Sequence, residues 1–396
     1  MLYIVIGFVT PYTSLMGIIR LILATTVLLW HCPVGVVSRI LHPALAVQCF
    51  YAISGFLIQM VLWSSDTTAP GWKGRFYLSR WLRIYPLYAL FLMLTLALVS
   101  SGSFFDLVHK HELWASAVWL LNNFLILGQD VLRFLYFNYN TGQFLALPST
   151  QEARTAVQAV SGQMTMMGQS WTLAIEFYFY LLAPFLLLSR STLLAGLICL
   201  TTAIRVYLGY QGHYLSEWVY GFFPSELAIF LAGSLAYRAY RSFFGSGRLA
   251  RLIGERTLLL ICSLVVAALC WVYMTVDLNF AGGSSQWGAP PLGVAPGYWL
   301  ILLMTIMSLP CAFYFSTRLK WDRFIGELSY PIYISHFVIL QLLSARLQPS
   351  NDGQRYVVAA VLITSLLVSA AAIQWIEMPL DRLRHRIFSR KKAPVV

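Results

Sequence analysis

The feature that most constrains this chain is a succession of apolar runs, each about 17 to 22 residues long and almost free of charge. Wound as an α-helix at about 1.5 Å per residue, such a run crosses a hydrocarbon core of about 30 Å. In lipid, only helices and closed barrels leave no backbone group unpaired. The runs are rich in Leu, Ala, Phe and Tyr, hold Gly and Pro within them, and show no strand-like alternation of polar and apolar positions, which excludes a barrel. Hydrophobic residues make up 59% of the chain and charged residues 11%, against about 45 to 50% apolar in soluble domains. The expected fold is all-α, a polytopic helical membrane bundle.

Charge placement sets the expected orientation. The formal net charge is +12, but the basic residues fall in short clusters between runs and form no single patch, which reads as membrane topology and excludes nucleic acid. With Arg20, Lys73, Arg75, Arg80 and Arg83 inside, the chain starts in the cytoplasm. Arg382, Arg384, Arg386, Arg390, Lys391 and Lys392 place the other end there too. Spans are expected at 17–37, 44–63, 80–100, 171–188, 193–210, 223–240, 258–275, 298–316, 328–345 and 356–376, ten in all, because two cytoplasmic ends require an even number. The further run 113–127 would make the number odd, so it is expected to lie at the interface or to re-enter. All but seven of the 27 Lys and Arg residues then face the cytoplasm, the exceptions being Arg39, Lys110, Arg133, Arg154, Arg205, Arg346 and Arg355.

The expected domains are an apolar N-terminal extension at 1–13, a transmembrane domain at 14–385 and a basic cytoplasmic tail at 386–396. The extension has neither a basic n-region nor a small-residue cleavage site, so a cleaved signal is not expected. Six cysteines stand singly without metal-ligand spacing, which reads as small buried hydrophobes, with no disulfide framework and no metal site. Two outer connections stand out. The stretch 129–169 is rich in Asn, Gln and Thr, and 277–297 is rich in Gly and Pro and carries Trp287. Amides and aromatic rings on an outer face suit sugars; they equally suit an interfacial belt.

Ionisable residues inside spans are the candidates for chemistry. His31 lies eleven residues beyond Arg20, about 16 Å along a helix and near mid-bilayer. Glu176 is expected about 10 Å in from the outer face, and His336 about 15 Å up from the inner one, so that all three share one depth. A carboxylate bonded to one imidazole nitrogen leaves the other as a general base for a hydroxyl; the bland alternative is a Glu-to-hydroxyl bond and two core histidines. Arg80 and Arg83, at i and i+3, share one face of a helix that has just begun, and their forked donors suit a polyanion. Ordinary positive-inside anchoring explains them too. Arg205 and Glu226 are expected to pair with each other.

Taken in order, several short motifs resemble the acyltransferase-3 membrane family. They are Gly17-Ile18-Ile19-Arg20 followed by His31, Phe50-Tyr51-Ala52-Ile53-Ser54-Gly55-Phe56, Arg80-x-x-Arg83 before Ile84-Tyr85-Pro86, Ser170-Trp171-Thr172-Leu173-Ala174-Ile175-Glu176, Ser329-Tyr330-Pro331-Ile332-Tyr333 through His336, and Glu377-Met378-Pro379-Leu380. The resemblance implies an enzyme of the inner (cytoplasmic) membrane that moves an acyl group, most often acetyl, from cytosolic acyl-CoA to a hydroxyl of a glycan or other cell-surface molecule, without a metal. It implies that His31 is catalytic with Glu176 orienting it, that Arg80 and Arg83 meet the CoA phosphates, and that Arg20 and Ser54 line the donor site. The same motifs put Trp171, Tyr330 and His336 on the substrate side. Some relatives carry an outer-face hydrolase-like domain; here a separate partner would take that part, or the chain completes transfer itself. Two other readings stand beside this one, an acyltransferase for a small soluble acceptor such as an antibiotic, and a glycan or lipid-linked sugar transporter with a proton relay. The transporter reading would favour broken helices in paired halves, which the sequence does not show.

Overall fold

The computed structural model describes residues 16–32, 41–98, 113–138, 143–146, 166–210, 216–275, 296–347 and 354–388. The N-terminal extension 1–13, most of the two outer connections, and Arg390, Lys391 and Lys392 of the basic tail lie outside the described residues. A helix covers each of the ten expected positions. They are α1 (Gly17–His31), α2 (Pro43–Ser64), α3 (Trp72–Leu98), then, after the short α4 (Leu113–Leu125), α5 (Trp171–Leu186), α6 (Ser191–Tyr210), α7 (Phe223–Tyr240), α8 (Glu255–Thr275), α9 (Pro296–Ser316), α10 (Lys320–Leu347) and α11 (Gln354–Ala372). Through a π turn, Ile373–Glu377, α11 runs on into α12 (Met378–Phe388). By length and composition, α2, α3, α6, α8, α9 and the continuous α11–α12 stretch are long and apolar enough to cross a membrane, while α1 and α5 are apolar but shorter.

Two boundaries and one added element differ from the expectation. The first helix stops at His31, with Cys32 already extended, so His31 closes α1 instead of lying well inside a span. The third begins at Trp72, which sets Arg80 about 12 Å along the helix and not at its start. A two-stranded antiparallel ribbon, β1 (Leu135–Asn138) with β2 (Gln143–Ala146), occupies part of the long outer connection. Four residues per strand are too few to give a readable alternation.

Local chemistry explains where the helices begin and cross. Pro43 opens α2 with its fixed φ, and the His42 ring Nδ1 accepts the Ala44 N–H at 3.2 Å. The first amides of α1 are captured by another helix: Gly17 and Ile18 N–H each donate to a carboxylate oxygen of buried Asp322 at 2.8 Å. Gly17 has to be glycine, because a Cβ there would lie 1.7 Å from the Asp322 carbonyl oxygen. The tightest crossing joins α2 to α7. A Cβ on Gly55 would meet the Phe230 carbonyl at 1.9 Å, and one on Gly233 the Ala52 carbonyl at 1.9 Å. Bare glycines let two backbones touch, which is how helices associate where lipid removes the hydrophobic drive.

Helix directions follow from paired contacts. Gly17 meets Asp322 and His31 meets His336, so α1 and α10 run parallel. Ser54 meets Glu176 and Gln59 meets Leu187, so α2 and α5 do the same. Gln48–Glu226 and Gln59–Arg238 give the same result for α2 and α7. The outward faces are apolar, with Leu200 and Tyr207 on α6, Leu264 and Trp271 on α8, and Leu367 on α11 exposed, while buried polar groups cluster between helices. That distribution suits a lipid surround.

Candidate active site

A cavity of ≈ 130 Å³ opens between α1, α2, α3, α5 and α10. Its apolar wall comes chiefly from α2, through residues such as Val47, Phe50, Ile53 and Leu57. Its polar groups are Arg20, Tyr51, Ser54, Arg80, Arg83, Thr172, Glu176, Tyr180, Ser329, Tyr330 and Tyr333. Thus Arg20, Ser54, Arg80, Arg83, Glu176 and Tyr330, singled out from five separate motifs, meet at one site. Trp171, His31 and His336 are not among the lining residues. Trp171 is buried with its ring edge on Tyr220, centroids 4.9 Å apart.

The three arginines are in different states. Arg83 is held by two carboxylates, Nη1 lying 2.8 Å from Glu327 and 3.2 Å from Glu377, all three side chains nearly buried. The π turn at 373–377 carries Glu377 to this bridge; a local π segment inserts an extra residue and re-aims the side chains that follow. Arg80 donates from Nη2 to Ser79 at 3.2 Å, but its Nε has no partner. Arg20, at the start of α1, has an unpartnered Nη1. All three arginines thus keep an unpartnered nitrogen, Nη2 in the case of Arg83, but Arg83 is held in ion pairs with two carboxylates, whereas Arg20 and Arg80 bring their guanidinium groups to the cavity without one.

Glu176 does not orient a histidine. Its Oε1 accepts from Ser54 at 2.9 Å and from Tyr180, one turn further along α5. The expected shared depth fails for a geometric reason. Glu176 sits at the level of Arg20, within its electrostatic reach, and His31 is eleven residues, about 16 Å, further along α1.

His31 meets His336 instead. The Nδ1 of His31 lies 2.7 Å from the Val27 carbonyl and 3.3 Å from Nε2 of His336, whose own Nδ1 is 2.7 Å from the Tyr333 carbonyl. A carbonyl has no hydrogen to give, so Nδ1 carries the proton in both rings. That leaves the lone pair of His31 on Nε2, the state a general base needs. Tyr333 lines the cavity and its ring centroid is 6.0 Å from that of His336; its hydroxyl lies 2.8 Å from that of Thr172, and Phe50, also on the cavity wall, has its ring centroid 6.4 Å away.

Several contributors escaped the sequence reading. Tyr180 was legible as i+4 from Glu176, and Glu377 stood in a quoted motif without a role. Thr172, Tyr51 and Tyr333 likewise stood in quoted motifs without a role, and Glu327 lay outside every motif. The hydroxyl of Tyr51 is buried without a hydrogen-bond partner at the cavity wall. Arg205 and Glu226 do pair, at 3.8 Å, and Gln48 adds bonds of 2.7 and 2.9 Å to the same carboxylate. Among the described residues, no three His, Cys, Asp or Glu side chains gather as a metal site.

A helical membrane bundle with an arginine-lined internal cavity and a polarised histidine pair defines the class. Residues 16–374 match the model of the acyltransferase-3 family, described as an acyltransferase domain. The chain belongs to that family. No curated protein and no solved structure matches it.

Proposed function

We propose that this protein is a membrane O-acyltransferase that moves an acyl group, acetyl in the first instance, from cytosolic acyl-CoA to a hydroxyl of a cell-surface glycan, with the inner membrane as its location. The observation that carries the reading is the spacing along α1. Arg20 lines a cavity with Arg80, both with donors to spare, and His31 presents a free Nε2 about 16 Å further along the same helix. Phosphates of the donor are held at the arginine end, and the extended arm of CoA brings its thioester to the histidine end. His31 takes the proton of the acceptor hydroxyl on Nε2, the oxygen attacks the thioester carbonyl, the C–S bond breaks, and the proton passes to the departing thiolate. The products are an ester and free CoA. Glu176, tethered by Ser54 and Tyr180, lines the same cavity as Arg20 and Arg80 and competes with loose anions for their donors.

Ten crossings with both ends in the cytoplasm fit the helix directions. If α4 crossed the membrane, α10 would run opposite to α1, and α5 opposite to α2; parallel pairing supports the reading of α4, about 20 Å long, as an interfacial or re-entrant segment. A small soluble acceptor remains the alternative within the same chemistry. The test supplies membranes containing the protein with radiolabelled acetyl-CoA and isolated envelope glycan. Label is expected on the glycan; it should vanish with His31→Ala, while Arg80→Ala raises the KM for acetyl-CoA. Near-normal transfer by His31→Ala would overturn the reading, and label on soluble molecules alone would overturn the glycan acceptor.

A further inference from the structure

We infer that His336 is a positioning residue that fixes the ring plane of His31, whose tautomer the Val27 carbonyl already sets, an assignment that rests on the catalytic role proposed above. His336 is 1% exposed while His31 is only partly buried, and its Nε2 is turned to His31, so it stands behind His31 and not beside a substrate. Its ring is fixed by the Nδ1–H bond to the Tyr333 carbonyl, which turns the Nε2 lone pair toward His31. The Nδ1–H of His31 is shared between the Val27 carbonyl and that lone pair. Two acceptors on one hydrogen define the plane of the ring. The Phe337 ring, centroid 4.6 Å away, packs against it.

Where a carboxylate serves this purpose, it stabilises the imidazolium formed during proton transfer. Inside a bilayer a bare carboxylate carries a large desolvation cost, and a neutral imidazole supplies an acceptor without it. As Nε2 of His31 takes the acceptor's proton, the ring becomes positive and its Nδ1–H a stronger donor, so the bonds to Val27 and His336 tighten. The Nδ1 hydrogen stays on His31, and His336 remains neutral throughout. The proton on Nε2 then leaves with the thiolate.

Three substitutions separate this role from packing. His336→Gln places an amide oxygen near the position of Nε2 and keeps an acceptor for His31. His336→Asn reaches only the Nδ1 position, and His336→Leu offers neither. With the full-length protein in detergent, acetyl-CoA and envelope glycan, release of free CoA thiol gives kcat and KM. We expect kcat to fall about tenfold in the Leu and Asn variants, the effect of one hydrogen bond to a group that becomes charged, with the KM for acetyl-CoA unchanged and with His336→Gln close to wild type. An equal fall in all three variants, matched by an equal loss of thermal stability, would mean packing and would overturn the assignment. A raised KM with unchanged kcat would mean substrate contact and would overturn it too. His31→Ala separates the two levels. If His31→Ala is inactive and His336→Leu keeps normal kcat, only this inference falls; if His31→Ala is active, the acyl-transfer reading falls first.

Discussion

Replacing Arg83 by Gln is expected to destabilise the protein before it affects donor binding. The guanidinium sits 2.8 Å from Glu327 and 3.2 Å from Glu377, with side-chain exposures of 12%, 8% and 7%. Without it, two carboxylates from α10 and the 373–377 turn face each other, with only Arg20 and Arg384, neither of them in an ion pair with either carboxylate, left as counter-charges. Removing one partner of a buried ion pair costs about 3 to 5 kcal/mol, mostly as the penalty on the charge left behind. The assay is the thermal melt of the detergent-solubilised protein, read as the folded fraction surviving size exclusion after heating. Arg83→Gln should melt well below wild type, and the triple variant with Glu327→Gln and Glu377→Gln should recover most of the loss, since the charges are removed together. Arg80→Gln, whose Nε has no partner to abandon, should instead raise the KM for acetyl-CoA and leave the melt in place. If Arg83→Gln melts with wild type and only raises that KM, Arg83 is a donor ligand and the two-carboxylate account is refuted.

Other substitutions test the frame around the cavity. Gly55→Ala puts a Cβ 1.9 Å from the Phe230 carbonyl, so α2 and α7 must separate; a loss of about 1 to 3 kcal/mol is expected for overpacking, and an unchanged melt would show that the crossing is loose. Asp322→Ala removes both acceptors from the first amides of α1 and should cost about 1 to 2 kcal/mol as a lost cap, with Asp322→Asn intermediate; equal melts for all three proteins would remove the cap from the account. Tyr180→Phe and Ser54→Ala each take one hydrogen bond from Glu176. The freed carboxylate should swing toward Arg20 and Arg80 and raise the KM for acetyl-CoA several-fold, whereas an unmoved KM would deny the tether.

The bundle was legible in the sequence because each span buries its backbone polar groups within itself, so length and the absence of charge suffice to find it. The cavity was legible in parts: Glu176 as an ionisable residue inside a span, and the Arg80–Arg83 pair as forked donors at an expected helix start, whereas Arg20 and Ser54 came only with the family resemblance. What pairs with what was not legible. Depth counted along each helix placed Glu176 beside His31, but that count put the start of α5 at the outer face. Gln169 and Thr172 instead meet Ile334 and Tyr333 of α10, so α5 begins level with the histidine pair and Glu176 falls toward Arg20. The Glu327–Arg83–Glu377 bridge depends on a π turn, a one-residue change of register that leaves the apolar pattern of the last helix intact. The β-ribbon is too short to mark the sequence.

The distance from the arginines to His31 depends on one helix pair. Asp322 and His336 are fourteen residues apart on α10, and Gly17 and His31 are fourteen apart on α1; each holds its counterpart, by bonds of 2.8 and 3.3 Å. Two parallel helices tied in register at both ends act as one ruler about 21 Å long, and Arg20 stands three residues from its lower end. A substrate that binds by its phosphates and reacts at the tip of an extended arm needs such a fixed separation, because a displacement of even 1 Å at the reacting atom costs rate. The lower tie explains why Gly17 carries no side chain, since any larger residue there pushes α1 away from Asp322. The helix ends at His31 because Cys32 precedes Pro33 and is extended. Loss of the lower tie in Asp322→Ala should therefore lower kcat as well as stability, although Asp322 is distant from the reacting atoms.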